Sequence, residues 1–312
     1  MSSLGWFIGG PLVYFAVALF LIKTALLVKK YLDMPRHIRW DLYPLPHNGA
    51  EGSKYQKVDF GQSKPHSHVM HELWEMGQEI LFIKKAYVNN PKIWFGSFPL
   101  HAGLYLGIIW LFLLVTGAVL ELNQVFIGPN SQSLFSSLIY NATLFTGVGS
   151  FVSGLCGALV LLWQRLTDEG MIFMSDVISY LNLAVMIMLF GTGLAAWMTV
   201  DSTFAEMRHQ MASLIAFRFV PVGETLVMLH VLALCSFLIY LPFSRMMHFV
   251  GKYFFYHNIM WDDEAMKKGS AMENDFASYL QYKTTWSAPH IRKGESWADQ
   301  VGKGSPQEGG KK

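Results

Sequence analysis

The sequence predicts an all-α integral membrane protein, a five-transmembrane-helix bundle with its N-terminus outside and its C-terminus in the cytoplasm. Three observations lead to this fold class. Of the 312 residues, 52% are hydrophobic and only 15% are charged, which is unusual for a soluble domain. The apolar residues are concentrated in five long runs, and the basic residues favour alternate connections between those runs.

Each run is long enough to cross a hydrocarbon core, which takes about 20 apolar residues at about 1.5 Å each. The runs have almost no charge in their interiors and lie near residues 6–28, 98–120, 141–163, 172–199 and 222–247. The first begins almost at Met1 with no basic leader or cleavage site, which indicates a retained helix rather than a signal peptide.

Lys and Arg are distributed unequally between the two sides of this bundle. The connection from Lys29 to Ser97 holds ten of them, and the segment after Val250 holds nine. None lies between residues 121 and 140, and two lie between residues 201 and 220. Because basic connections stay in the cytoplasm, we expect a multi-pass protein of the cytoplasmic (inner) membrane in the orientation given above.

This topology divides the chain into four parts. They are a first transmembrane helix at 1–28, a cytoplasmic connection at 29–97, a four-helix core at 98–250 and a cytoplasmic tail at 251–312. The cytoplasmic connection is expected to contain a surface helix around residues 70–87. From about Ser296 the tail has too few apolar residues to fold alone, and we expect it to be disordered or to lie on a partner.

Three of the eleven histidines lie in or beside the predicted spans, namely His101 in the second span and His230 and His248 in the last. Histidine within a membrane is costly and usually functional. If the last span is one continuous helix, the 18 residues between its two histidines make about five turns. Both side chains would then lie on one face about 27 Å apart, which suits one heme in each leaflet.

Antiparallel spans bring His101 and His248 to a similar depth, so these imidazoles are a candidate axial pair for a b-type heme. An iron held by two imidazoles has no open position, which suits electron transfer. The depth that matches His230 falls near residues 110–116 and offers no histidine. For each of the three, an interfacial or hydrogen-bonded histidine is the plainer alternative.

Several other residues have two interpretations at this stage. Gly103 and Gly107 either clear space for a porphyrin or let two helices approach closely. Arg245 either pairs with a heme propionate or anchors a helix end at the membrane surface. A cluster of three histidines at positions 66, 68 and 71 could bind a divalent metal, although a solvated polar surface explains it as well.

Two stretches of the chain resemble the respiratory nitrate reductase gamma subunits. One is Leu229-His230 through the ending Pro242-Phe243-Ser244-Arg245-x-x-His248, and the other is His101-Ala102-Gly103 with Gly107. The resemblance is clearest over residues 98–256. It implies a quinol oxidoreductase subunit with two hemes b that passes electrons to a cytoplasmic iron–sulfur subunit and is not catalytic alone.

The chain departs from that family at two places. The family has a second histidine ten residues after the first, where this chain has Leu111, so an outer heme lacks its usual ligand. The first cytoplasmic connection is also longer. The chain is more similar to membrane cytochrome b subunits of anaerobic, sulfate-reducer-type complexes with heterodisulfide-reductase-like partners, which implies further membrane or periplasmic cytochrome subunits.

The leading hypothesis is therefore electron transfer between a membrane quinone, such as menaquinone, and an iron–sulfur partner. A quinone needs an apolar cleft with a few hydrogen-bonding groups, and Glu121, His209, Glu224 and His230 are the polar candidates. The alternative is a heme-free membrane anchor for a soluble redox enzyme. A transporter is less consistent with the sequence, which has no inverted repeat and little intramembrane charge, and no nucleic-acid partner is expected.

Overall fold

The computed structural model describes residues 3–35, 69–131, 133–261 and 267–301. The regular elements in these ranges are helices, accompanied by two isolated β-bridges. The α-helices are α1 (Ser3–Gly9), α2 (Pro11–Leu32), α3 (Val69–Phe82), α4 (Lys84–Asn89), α5 (Pro91–Leu122), α6 (Leu134–Thr167), α7 (Glu169–Met174), α8 (Val177–Thr199), α9 (Ala205–Ile215), α10 (Thr225–Tyr240), α11 (His248–Phe255), α12 (Ala271–Tyr279) and α13 (Trp297–Val301).

Five helical stretches within the described residues are long and apolar enough to cross a membrane, which confirms the predicted number of spans and indicates a multi-pass membrane protein. They are Ser3–Leu32, Pro91–Leu122, Leu134–Thr167, Val177–Thr199 and Thr225–Phe243. Helices α5 and α6 have 32 and 34 residues, or about 50 Å at about 1.5 Å each. Since a hydrocarbon core is about 30 Å thick, both helices extend beyond it.

The main bundle is built by sequential packing of four long helices. Helix α5 packs along α6, α6 along α8 and α8 along α10, while the short helix α9 packs on α5. The buried core between them includes Trp110, Leu114, Phe151, Phe190 and Val227. Burial of these large apolar side chains against one another sets the rotation of each helix about its axis.

Helices α5 and α6 approach most closely where both have small residues. A Cβ atom added to Gly103 would lie 2.5 Å from the Cα atom of Gly154, and one added to Gly107 would lie 2.9 Å from the Ser150 hydroxyl. That hydroxyl donates to the Gly103 carbonyl oxygen at 2.7 Å. In this structure, therefore, the glycines of α5 make room for a neighbouring helix.

The last span is not one continuous helix, so the expectation of five uninterrupted turns between His230 and His248 is wrong. Helix α10 ends at Tyr240, and two 3₁₀ turns separated by Ser244 follow before α11 begins at His248. Pro242 explains the break, because it has no N–H group to donate and its ring clashes with the preceding turn of an α-helix. The Ser244 hydroxyl then caps the next turn by accepting from the Met246 N–H at 3.1 Å.

A second break lies inside the stretch predicted at 172–199. Helix α7 ends at Met174, and α8 begins only at Val177. The side chain of Asp176 accepts the Ser179 N–H at 2.8 Å, which is the usual way for an aspartate to start a helix. The fourth span is consequently shorter than expected and has a carboxylate fixed at its first turn.

The first span has the same direction as the last one, because contacts near its two ends link it to the corresponding ends of the bundle. The Tyr14 hydroxyl donates to the Leu214 carbonyl oxygen at 2.5 Å, near the end of α9. Further along, the Lys23 ammonium lies 5.3 Å from the centre of the Phe243 ring. The two spans therefore run parallel, as an odd number of membrane crossings requires.

The described residues from Gly251 onward belong to a second compact unit. In it, the Thr284 N–H donates to the Glu295 carbonyl oxygen at 3.1 Å, and the Trp297 N–H donates to the Tyr282 carbonyl oxygen at 3.2 Å. Helix α13 follows at once. The expectation of an unfolded tail from Ser296 is thus wrong for residues 296–301, because backbone hydrogen bonds hold them to residues 280–284; residues 302–312 lie outside the described part.

Candidate functional site

The imidazole rings of His101 and His248 face each other at one end of the bundle. Their ring centres are 6.0 Å apart and their planes are inclined by 68°. Two imidazoles bound to opposite sides of one metal ion have ring centres about 6 Å apart, because each metal–nitrogen bond is about 2 Å long and each ring centre lies about 1 Å behind its nitrogen. The separation therefore fits two axial ligands of one iron.

Backbone hydrogen bonds orient both rings in the same way. Nδ1 of His101 lies 2.7 Å from the Ser97 carbonyl oxygen, and Nδ1 of His248 lies 3.3 Å from the Arg245 carbonyl oxygen. Because a carbonyl oxygen only accepts, Nδ1 donates in each case, and the lone pair of each neutral ring is on Nε2. Metal-binding histidines are commonly oriented by this kind of hydrogen bond, which sets the tautomer.

The pair lies on the opposite side of α5 from the aromatic core. His101 precedes Trp110 by nine residues, or about two and a half turns at about 3.6 residues each, so the two side chains project in opposite directions. Trp110 is 4% exposed, whereas His101 is half-buried and His248 is exposed. A group held by these imidazoles would be at the edge of the bundle, where it is open to the surroundings.

Arg245 has a protein partner in this structure. Its guanidinium group pairs with the carboxylate of Asp176, at the start of α8. The hydroxyl and backbone N–H of Ser179, and then Arg245, lower the pKa of Asp176 from its ordinary value. Both side chains are exposed. To contact a heme propionate as predicted, Arg245 would have to bind the propionate together with Asp176 or in place of it.

His230 is enclosed in the core and lies apart from the other two histidines. It is 3% exposed, and its ring centre lies 5.2 Å from that of Phe151 and 6.2 Å from that of Trp110. Nδ1 lies 3.2 Å from the Thr192 hydroxyl. Nε2 has no hydrogen-bond partner among the described residues.

Aromatic side chains fill the space where a second porphyrin would be expected. Phe204 is completely buried against Trp110 and Phe151, with ring centres 5.3 and 6.0 Å apart. At position 111, where the resembling family has histidine, this chain has a leucine that packs against the core. The residues present fit one heme, at His101 and His248, and do not fit a second one at His230.

A separate polar cluster lies at the other end of α5. The Arg208 guanidinium is 3.3 Å from one oxygen of Glu121 and donates to the Ile127 carbonyl oxygen at 2.8 Å. Nδ1 of His209 lies 2.9 Å from the second Glu121 oxygen. The structure thus brings together two of the polar residues that the sequence suggested for a quinone site, Glu121 and His209. Glu224 is exposed at the start of α10.

Sequence reasoning missed the residues that position these groups. Ser97 precedes His101 by one helical turn, a spacing that could have suggested the backbone hydrogen bond. Arg208 is only 7% exposed, and nothing in its sequence neighbourhood distinguishes it from a surface arginine. The pairing of Asp176 with Arg245 joins two distant parts of the chain, and no local sequence pattern indicates it.

The histidine cluster at positions 66, 68 and 71 is only partly described. Positions 66 and 68 lie outside the described residues, and His71 is exposed in the first turn of α3. Among the described residues no group of three or more His, Cys, Asp or Glu side chains is placed to hold a metal ion. The candidate metal ligands that the structure does bring together are the two facing imidazoles.

Comparisons of the chain with protein-family models, with curated proteins and with solved structures found no match.

Proposed function

We propose that the chain is the membrane cytochrome b subunit of an anaerobic respiratory complex, which carries electrons between a quinone such as menaquinone and a cytoplasmic iron–sulfur partner. The observation that supports this most is the facing pair of imidazoles, 6.0 Å apart and both hydrogen-bonded through Nδ1. A heme b held by His101 and His248 would accept and release single electrons at this position without an open coordination site.

The protein's own residues hold and orient the two ligands. The carbonyl oxygens of Ser97 and Arg245 keep each ring in the tautomer that presents Nε2. Since the two ligands come from α5 and α11, they also tie the second span to the end of the last one. The pairing of Arg245 with Asp176 connects this end of the chain to α8 as well.

The quinone in this proposal approaches the bundle at the end that holds His101 and His248. Glu121 follows His101 by 20 residues on the same helix, or about 30 Å at about 1.5 Å each, and the aromatic core between them does not fit a second heme. Electron transfer weakens steeply with distance, so Glu121 and His209 are too remote to hold a quinone that exchanges electrons with the histidine pair. The exposed edge at His248 is within reach of a lipid-soluble quinone.

The orientation in the membrane belongs to the same proposal. Ten Lys or Arg between residues 29 and 97, together with nine after residue 250, favour a cytoplasmic location for the end of the bundle with the histidine pair. An iron–sulfur partner would then dock on the same side of the membrane. Neither quinone oxidation nor delivery to that partner would require an electron to cross the bilayer through this chain.

A spectrum of the purified protein tests this function. Reduction with dithionite should produce the α band of a b-type heme, and anaerobic addition of reduced menadione should produce the same band. A protein without heme would overturn the proposal in favour of a heme-free anchor. A band that forms with dithionite but not with reduced menadione would contradict the role of the quinone.

A further inference from the structure

Helix α3 has its apolar side turned outward. Met70, Leu73, Trp74 and Leu81 recur at the spacing of one helix face, and their exposed fractions are 75%, 60%, 66% and 53%. We name these four residues the α3 stripe. Gly77 lies on the same face, and nothing within 4 Å would meet a Cβ atom added to it. A surface helix in water would show the opposite arrangement.

The polar side chains of α3 lie on the other side of the helix and are bonded to the start of α4. The Lys84 ammonium donates to the Glu75 carboxylate at 2.9 Å and to the Gln78 amide oxygen at 2.8 Å. Glu79 is only 7% exposed and accepts the Lys85 N–H at 2.8 Å. These polar groups thus have partners within the protein, whereas the α3 stripe is largely exposed.

The end of α3 is attached to α5 well inside the second span. The Tyr105 hydroxyl donates to the Ile80 carbonyl oxygen at 2.6 Å. Tyr105 is 14 residues after Pro91, or about 21 Å along a helix of about 48 Å. Tyr105 and His101 are therefore both in the first half of α5, and α3 is held to that half.

The face of α5 that receives α3 is itself apolar and uncovered. Ile108, Ile109 and Phe112 follow Tyr105 at intervals of three, four and seven residues, which places them on its face, and their exposed fractions are 66%, 48% and 72%. In a span of a membrane protein such a face contacts acyl chains. Helix α3 therefore meets the bundle at its lipid-facing surface.

We propose that α3 is an interfacial membrane helix whose stripe is inserted among lipid acyl chains. Helices of this type lie in the plane of the interface with one apolar and one polar face, and Trp74 is a residue type that membrane interfaces favour. The first connection would then be bound to the bilayer close to the histidine pair, because Tyr105 is one helical turn after His101. The proposal holds whether or not the chain binds heme.

Site-directed spin labelling in phosphatidylcholine liposomes tests the proposal. Single cysteines are introduced by Leu73→Cys on the stripe and by His71→Cys on the polar side, in a Cys156→Ser, Cys235→Ala background whose helix content is first compared with that of the native chain. The label at position 73 should collide more often with oxygen, which dissolves in lipid, than with a water-soluble nickel chelate. The label at position 71 should show the reverse order.

Two results would contradict the proposal. If the label at position 73 collides more often with the nickel chelate, the stripe faces water. If that label is protected from both reagents while position 71 remains accessible to nickel, the stripe is covered by protein, either another subunit or a second copy of the chain.

Discussion

Nδ1 of His101 donates to the carbonyl oxygen of Ser97, one turn earlier in the same helix, at 2.7 Å. The centre of its ring lies 6.0 Å from that of His248, a residue that a broken helix and a long stretch of sequence separate from α5. In our account both imidazoles bind a shared heme iron.

His230 should be dispensable for heme binding. His230→Leu removes a buried ring whose Nε2 has no partner among the described residues, so the lost Thr192 contact is offset by removal of an unsatisfied acceptor. We expect the free energy of unfolding to change by less than about 1 kcal/mol and the heme content to stay the same. Heme content and thermal unfolding of the purified variant measure both, and loss of heme would show that His230 is a ligand.

Gly103 should tolerate no side chain. In Gly103→Ala the new methyl group would lie 2.5 Å from backbone atoms of Gly154, which cannot turn aside as a flexible side chain can. Helices α5 and α6 must separate, and we expect a loss of about 1–3 kcal/mol in stability. The matched control is Gly191→Ala in α8, whose methyl group would meet only Leu155, at 3.9 Å. Equal thermal stability of the two variants would contradict this close packing.

The cluster of Glu121, Arg208 and His209 should contribute to the stability of the fold but not to heme binding. Glu121→Leu removes the carboxylate that pairs with the guanidinium group of Arg208, a residue that is 7% exposed. Because Glu121 is partly hydrated, we expect the free energy of unfolding to fall by only about 1–3 kcal/mol. The control is His209→Gln, because that side chain is 62% exposed and should matter little. We expect Glu121→Leu to retain its b-type spectrum and its reduction by reduced menadione. Loss of that reduction would return the quinone to this end of the bundle.

Asp176 should make the stability of the protein depend on pH. Its pKa is lowered in the folded protein by Ser179 and Arg245, so its contribution is complete above the unfolded pKa and is lost as the pH falls through the folded pKa. Asp176→Asn keeps a helix-capping side chain and removes the charge. Native protein should therefore unfold at a higher temperature than the variant at pH 7, and the difference should shrink on acidification. A difference that stays constant down to pH 3 would exclude Asp176 as its source.

Some of these features follow from sequence, and others depend on contacts that no sequence pattern contains. Five spans could be predicted because a bilayer requires about 20 apolar residues for each crossing. The approach of His101 to His248 followed from antiparallel topology alone. It did not need the assumption of a continuous last helix, which Pro242 and Ser244 invalidate.

The aromatic filling around His230 could not be predicted, because Phe151, Phe204 and Trp110 come from three separate parts of the chain. The same holds for the pairing of Asp176 with Arg245, which depends on how α8 lies against the end of α10. For α3, the sequence indicated a helix near the membrane surface. Only the exposed fractions of the α3 stripe showed that the apolar side of this helix faces outward.

The number of hemes per polypeptide tests the central claim most directly. Heme extracted from the native chain should amount to one per polypeptide, and His101→Ala and His248→Ala should each abolish it. His257→Ala is the matched control, since its Nδ1 lies 3.0 Å from the Tyr253 carbonyl oxygen in the same kind of backbone bond, and it should retain one heme. A native chain without heme, a ratio of two, or full heme content in either alanine variant of the facing pair would contradict the account.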